Sequence, residues 1–145
     1  MTSTLRVSPA VPYARMLSVG SYRPERVVTN DEVCLRIDST DQWIQERSGI
    51  RERRYAAVDE SVCDMSVAAA LIAIERAGLQ PADVDVVILA TVTHPYPTPS
   101  AAAEVAFRLG TNGAAAFDIS AACAGFCYGI AMAQDFVRGG SARNV

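Results

Sequence analysis

Two cysteines lie close together in a stretch rich in small residues. The segment FDISAACAGFCYGI, residues 117–130, surrounds Cys123 with alanines and a glycine and places Cys127 four residues later. We predict a buried strand before Cys123 and a helix after it. A thiol at such a junction lies at the positive end of the helix dipole, which favours the nucleophilic thiolate. Small neighbours would let a substrate approach closely, as at a strand-to-helix nucleophile elbow.

The alternative interpretation of Cys123 is a buried cysteine at an alanine-rich helix start, because free cysteines are commonly buried. The residues by themselves leave both interpretations open. For Cys127, one turn further along, we favour a structural role, and likewise for Cys34 and Cys63 in other helical patterns. The chain has four cysteines, no CxxC pair and one histidine, His94, so its spacing predicts no metal site.

The surrounding patterns predict the elements that position these residues. Three helical patterns alternate with two apolar runs typical of buried strands, at residues 60–78, 83–91, 100–110, 114–120 and 123–138. In the last helix, Phe126 and Ile130 fall on one face. Such alternation predicts an α/β fold with a largely parallel sheet.

A set of shorter patterns precedes them. We predict a buried strand at residues 16–19, short helices in TNDEVCLRI and STDQWIQERSG, and an edge strand in IRERRYA. Asn30 or Asp31 is the expected N-cap of the first short helix, and Gly49 ends the second. The arginines of the edge strand, Arg51, Arg53 and Arg54, are expected to be solvated or sheet-edge charges.

Composition limits the function classes. A formal net charge of −3 does not suggest a nucleic-acid-binding protein, and an apolar content of 50% argues against disorder. The first residues lack the apolar run of a signal peptide, and no stretch reaches the length of a membrane span. We therefore expect a cytoplasmic protein with neither nucleic acid nor membrane as a partner.

Four stretches resemble the ketoacyl-ACP synthase III family of the thiolase superfamily: VGSYRPERVVTN, STDQWIQERSGIRERRYA, FRLGTNGAAAFD and DISAACAGFCYGI. They occur in the family's order, and the resemblance begins near Tyr13. It implies a thiolase-like α/β fold, the amino-terminal half of a layered α/β/α/β/α sandwich with a mixed, largely parallel sheet. Residues 1–12 are then an extension and residues 13–145 this half, with the carboxy-terminal catalytic half absent.

The resemblance also implies a reaction. Enzymes of this family condense an acyl-CoA starter with malonyl-ACP and so prime fatty-acid or polyketide synthesis. On this sequence, Cys123 would take the acyl group as a thioester, and its own backbone N–H would form half of an oxyanion hole. Acyl-CoA is a substrate, no cofactor is implied, and a homodimer is expected.

Further residues match family positions. Trp43 matches the tryptophan that stacks on the CoA adenine, Arg47 an arginine near the CoA phosphates, and Ser39 a small hydroxyl residue near the adenine. Thr98 matches a position that the dimer partner contributes to the acyl pocket, where some members have phenylalanine. The smaller threonine predicts a longer pocket. His94 matches no catalytic position of the family.

The family's catalytic histidine and asparagine belong to the second half of its fold. We therefore expect that this chain does not complete the condensation alone, and that the missing half is supplied in cis or by a second polypeptide. One alternative is an acyltransferase of the same fold that acylates an oxygen or nitrogen acceptor. Another is an inactive truncated half that only binds CoA or a partner chain.

Overall fold

The computed structural model describes residues 9–145, which form two compact units. The smaller unit, residues 22–61, contains β1 (Arg26–Thr29), α1 (Asn30–Cys34), α2 (Asp41–Ser48) and β2 (Glu52–Tyr55). The larger unit, residues 9–21 and 62–145, contains α3 (Val62–Arg76), β3 (Val86–Ala90), α4 (Ala101–Leu109), β4 (Ala115–Ile119) and α5 (Gly125–Arg138). Short 3₁₀ turns occur at Pro81–Asp83 and Ala122–Ala124. The predicted extension, residues 1–12, falls largely outside the described residues.

In the smaller unit, β1 and β2 form an antiparallel pair in which Val28 lies opposite Arg53. The predicted strand at β2 and both short helices are confirmed. The N-cap of α1 is Thr29, whose Oγ1 accepts from the backbone N–H of Glu32 at 3.3 Å. The prediction of Asn30 or Asp31 was wrong because Asn30 is 1% exposed and its side chain bonds elsewhere.

In the larger unit, β3 and β4 are parallel and α4 connects them, which confirms the predicted βαβ order. Successive residues of a strand face opposite sides of the sheet. Val87 and Leu89 pack on the core formed by α3 and α4, where Val105 is 2% exposed. On the other side, Phe117 of β4 meets Phe136 of α5 edge to face, with ring centroids 6.2 Å apart. The unit therefore has α/β/α layers.

The contact between α5 and the sheet differs from its predicted form. Phe126 and Ile130, placed on one face by their spacing, are 70% and 43% exposed. Glycines face the sheet instead: a Cβ added to Gly125 would lie 2.8 Å from the Cβ of Ala90, and one added to Gly129 would lie 3.7 Å from Ile119. At Gly125 the helix can approach the sheet this closely only because the residue has no side chain.

The predicted strand at residues 16–19 was also wrong. The segment is not part of either sheet, and Val19 is 63% exposed. It is held by α3 instead, because the hydroxyl of Ser18 donates to the carbonyl of Ala73 at 2.5 Å and Arg76 Nη1 donates to the carbonyl of Val19 at 2.8 Å. A strand forms only where a neighbouring backbone offers partners, and here the neighbour is a helix.

Replacing Gly20 by alanine should destabilise the larger unit. The added Cβ would lie 2.0 Å from the carbonyl oxygen of Ala69 and 2.6 Å from the backbone nitrogen of Ala73, so the segment must move away from α3. We expect a loss of about 1–3 kcal/mol in the free energy of unfolding, typical of overpacking, measured by urea denaturation and far-UV circular dichroism.

Gly129→Ala is the matched control for this prediction. Its Cβ would make only an ordinary contact at 3.7 Å with Ile119, and alanine is the better helix former by about 1 kcal/mol. The control should be as stable as the parent chain or more stable. Equal stability of Gly20→Ala and the parent would contradict the close packing of this segment on α3.

Candidate active site

Cys123 lies in the tight turn that connects β4 to α5, and its side chain is exposed. Ala122, immediately before it, has φ of 44°, in the left-handed region that a residue with a Cβ seldom occupies. Such a conformation persists only where the surroundings enforce it, and it is frequent at functional sites. The predicted strand–Cys–helix arrangement is therefore present, and the interpretation of Cys123 as a buried core residue was wrong.

Contacts on both sides of the turn hold it in place. On the α5 side, the close approach of Gly125 to Ala90 joins the helix start to the end of β3. On the β4 side, the carboxylate of Asp118 accepts from the backbone N–H groups of Ala101 and Ala102, at 2.8 and 2.7 Å. These are the first two amides of α4, which have no partners within the helix.

Asp118 was not singled out from the sequence. Its signal was an acidic residue in an otherwise apolar strand between Phe117 and Ile119. A carboxylate in a strand covered by helices must find donors, because an unpaired buried charge is costly. The pattern thus indicates a partnered carboxylate, but the partner lies 17 residues away and cannot be read from local spacing.

The loop between β3 and α4, residues 91–100, contains Thr98 and His94. Thr98 is exposed, and its role at an acyl pocket stays a prediction. His94 Nε2 donates to the carbonyl of Pro99 at 3.3 Å, and its ring meets Tyr96 edge to face at 5.6 Å. These contacts indicate that His94 stabilises the conformation of the loop.

The other cysteines differ from Cys123 in their surroundings. Cys63 is 1% exposed in the core of the larger unit, where burial raises the pKa of its thiol to about 11, so it stays protonated. This confirms its structural role. Cys127 is exposed on α5, so the structural role predicted for it is not that of a buried core residue. All four cysteines are free thiols.

In the smaller unit, α2 presents Trp43 and Arg47 side by side. The helix begins where Thr40 Oγ1 accepts from the N–H of Trp43 at 3.1 Å, and ends at Gly49, as predicted, with φ of 71°. Trp43 is 56% exposed, and the guanidinium carbon of Arg47 lies 6.0 Å from its ring centroid. The pair forms an exposed aromatic and cationic surface suited to a flat anionic ligand.

An open surface depression of about 370 Å³ adjoins Trp43, lined by Ile37, Asp38, Ser39, Thr40 and Trp43. The hydroxyl of Ser39 is shielded from solvent and, within residues 9–145, has no hydrogen-bond partner. Ser39 and Trp43 thus line the same depression, and Arg47 lies beside Trp43 on α2. For Ser39 to meet a ligand, its hydroxyl must turn towards the depression.

A buried amide fixes α2 in the smaller unit. Asn30 Nδ2 donates to Asp41 Oδ1 at 2.7 Å and to the carbonyl of Ile50 at 2.8 Å. Its Oδ1 accepts from Arg53 Nη2 at 2.7 Å. Arg53 lies in a strand at the edge of its sheet, as expected, but its guanidinium is not merely solvated because it completes this network. Asn30 thus joins both ends of α2 to β2.

Two classes of feature are not seen in the described part of the chain. Within residues 9–145, no three His, Cys, Asp or Glu side chains are grouped so that they could hold a metal ion. None of the helices there has both the length and the apolar composition that crossing a bilayer requires.

Comparisons with known proteins match this arrangement. Residues 117–145, which include Cys123, match the family 3-oxoacyl-[acyl-carrier-protein] synthase III. The mycobacterial β-ketoacyl-[acyl-carrier-protein] synthase III of Mycolicibacterium paratuberculosis is 55% identical over 130 residues, covering 90% of this chain and 39% of its own. The β-ketoacyl-[acyl-carrier-protein] synthase III of Kocuria rhizophila is 51% identical over 137 residues, covering 93% and 39%.

Solved structures agree. The priming β-ketosynthase of the R1128 polyketide biosynthetic pathway superposes with a TM-score of 0.88 at 47% identity, over 97% of this chain and 42% of that one. Over most of its length, this chain is similar to β-ketoacyl-ACP synthase III enzymes. Its fold is the thiolase-like fold of these enzymes, as predicted. The chain spans about 39% of the length of the curated synthase III relatives reported above.

Acid should weaken the smaller unit through Asp41. The Asn30 amide and then the Gln45 amide donate to this carboxylate, and with a smaller effect of Arg51 they hold the pKa of Asp41 below its ordinary 3.8. Because the folded-state pKa is lowered, the stabilisation is complete above 3.8 and is lost as the pH falls through the folded-state value. We expect the urea midpoint, followed by the fluorescence of the single tryptophan, Trp43, to fall as the pH is lowered below about 4.

The Asp41→Asn variant is the control for this pH dependence. It keeps an oxygen that can accept from Asn30 but has no carboxylate to protonate. Its urea midpoint should be lower at neutral pH and should fall less in acid than that of the parent chain. Identical pH dependence of the two midpoints would show that Asp41 does not carry the effect.

Proposed function

We propose that Cys123 is the nucleophile that accepts an acyl group from acyl-CoA, as part of a type III condensing enzyme. The observation that carries this proposal is the turn at the end of β4, where Ala122 with φ of 44° presents an exposed Cys123 just before α5. A structural cysteine needs neither a strained neighbour nor exposure. A nucleophile needs both access and a fixed position.

The proposed chemistry has two stages. The Cys123 thiolate attacks the thioester carbonyl of acyl-CoA, the bond to sulfur of CoA breaks, and the acyl group remains on Cys123. Malonyl-ACP then loses carbon dioxide, and the resulting carbanion attacks the acyl group and releases the Cys123 thiolate. The backbone N–H of Cys123 would donate to the oxyanion of each tetrahedral intermediate.

We assign only the acyl-transfer stage to residues of this chain. The decarboxylation uses the histidine and asparagine that the family carries in its second half, supplied in cis or by another polypeptide. The active form would be a homodimer in the cytoplasm with malonyl-ACP as second substrate. The mycobacterial and R1128 relatives favour a priming step, in fatty-acid or polyketide synthesis.

The surface of α2 is the proposed CoA site. The Trp43 ring is 56% exposed and offers a face for stacking of the adenine, and Arg47 lies beside it to donate to phosphate oxygens. Arg47 is in the last turn of α2 and is exposed, so a ligand has access to it. Ser39 borders the same depression and would contact the adenine.

Thr98 is proposed to set the length of the acyl pocket, reaching the site of the dimer partner. A threonine fills less space than the phenylalanine of some family members, so starters longer than acetyl, including branched ones, should be accepted. The loop that carries Thr98 is braced by His94 and Pro99, which gives its backbone a defined course.

Incubation with acyl-CoA should leave an acyl group on Cys123. We expect intact-mass spectrometry of the chain to show a single adduct with acyl-CoA substrates from acetyl to medium and branched chains, and its mass identifies the preferred starter. Cys123→Ala should show no adduct. Cys127→Ala is the matched control, because Cys127 is also exposed and lies in α5, directly after the Cys123 turn, and it should load as the parent chain does.

Two results would contradict parts of this proposal. An adduct that persists in Cys123→Ala would assign the nucleophile to another thiol. A strong preference for acetyl over every longer starter would contradict the role of Thr98. If the parent chain alone gives no adduct, the experiment is repeated with the remaining part of a synthase III relative supplied in trans, and no adduct there would overturn the proposal.

Coenzyme A should quench the fluorescence of Trp43, because the adenine would stack on its exposed ring. We expect Arg47→Ala to raise the dissociation constant about tenfold, since hydrogen bonds to charged groups are worth about 1.5–3 kcal/mol. Arg23→Ala, which removes another exposed arginine of the smaller unit, should leave it nearly unchanged. Equal effects of the two substitutions would show that Arg47 contributes only its positive charge and makes no specific contact with coenzyme A.

A further inference from the structure

The loop at residues 91–100 is fastened at both ends to the segment that carries Cys123. At its start, the N–H of Thr91 donates to the carbonyl of Ile119 at 3.2 Å, and Ala90 packs against Gly125. At its end, Ala101 and Ala102 donate to Asp118. The Cys123 turn and the loop therefore share one set of supports, which lies between Asp118 and Gly125.

Asp118 supplies the support at the end of the loop. Ala101 and Ala102 are both 0% exposed, so water cannot replace the carboxylate as acceptor for their amides. Both oxygens are engaged, at 2.7 and 2.8 Å, which fixes the direction as well as the distance of α4 from β4. Charge-assisted hydrogen bonds of this kind are roughly twice as strong as neutral ones.

Ser100 provides a useful contrast at the same helix end. Its Oγ accepts from the N–H of Ala103 at 3.1 Å, so it caps α4 as Asp118 does. The Ser100 bond stays within the helix and its own first turn, whereas the Asp118 bonds cross from strand to helix. Removing either cap should weaken α4, but only the loss of Asp118 would remove hydrogen bonds that join α4 to β4.

We propose that Asp118 is a positioning residue for Cys123. Its carboxylate fixes the end of β4 and so holds the turn at Ala122 in its left-handed conformation. The Cys123 thiol thereby keeps a fixed position relative to the loop at residues 91–100. The proposal rests on the proposed function only in taking Cys123 as the reactive thiol. Asp118 does not contact substrate and acts through the backbone of the turn.

The test compares Asp118→Asn with Ser100→Ala in the full chain. The carboxamide keeps the size of the side chain but turns one acceptor into a donor that faces another donor. Methyl and octyl methanethiosulfonate are the probes, and peptide mass spectrometry gives the modification rates of Cys123 and of Cys127 as internal reference. We expect Asp118→Asn to change the Cys123 to Cys127 rate ratio about tenfold and Ser100→Ala less than about twofold, since small displacements of a reacting group have effects of that size.

Equal changes of the ratio in the two variants, or no change in either, would overturn the proposal. If Asp118→Asn does not fold, the parent chain is followed in increasing urea. The ratio should then begin to change at the urea concentration where the Ala101 and Ala102 amides lose protection from hydrogen exchange. A ratio that stays constant through that loss of protection would overturn the proposal as well.

The outcome is separable from that of the proposed function. The alkyl methanethiosulfonates contain neither CoA nor a thioester, so they report the position of the Cys123 thiol whether or not it can be acylated. A change in the ratio without acyl loading, even with the remaining part of a synthase III relative supplied in trans, would support Asp118 as a positioning residue and reject the acyl-transfer role. Acyl loading without a change in the ratio would support the acyl-transfer role and reject Asp118 as a positioning residue.

Discussion

The paired hydrogen bonds from Asp118 to the first amides of α4 are the constraint on which the larger unit depends. They join the second strand of a two-stranded parallel sheet to the helix that connects its strands. An α-helix start leaves its first amides without partners, and a partly buried carboxylate is stabilised by donors that replace water. The carboxylate on β4 therefore provides acceptors for the amides of α4, and those amides provide donors for the carboxylate. This pairing fixes the end of β4, from which the chain continues into the Cys123 turn.

In the smaller unit, a neutral side chain with several hydrogen-bond partners has the same effect. Asn30 is 1% exposed and bonds to Asp41, Arg53 and the backbone of Ile50, so one amide fixes the helix that presents Trp43. Short elements of four to eight residues bury too little apolar surface to define their own geometry. In both units, a polar side chain with several partners supplies the direction that apolar packing leaves open.

The sequence predicted those features that local rules determine. The helix that ends at Gly49 and the strand–Cys123–helix order were correct because caps and periodicity act over a few residues. Asp118 and Asn30 were missed because their partners lie 17 and up to 23 residues away. The prediction of which face of α5 packs on the sheet was wrong because Gly129 faces the sheet. A pattern of apolar residues gives no weight to glycine.

The contacts that hold the Cys123 turn all lie between Ala90 and Gly125 along the chain. They are formed by consecutive elements, so closing them costs little chain entropy, and short contact separations are associated with fast folding. A chain emerging from the ribosome would have every one of these partners available once α5 begins to appear. The surroundings of the thiol can therefore assemble during synthesis, ahead of any segment that follows.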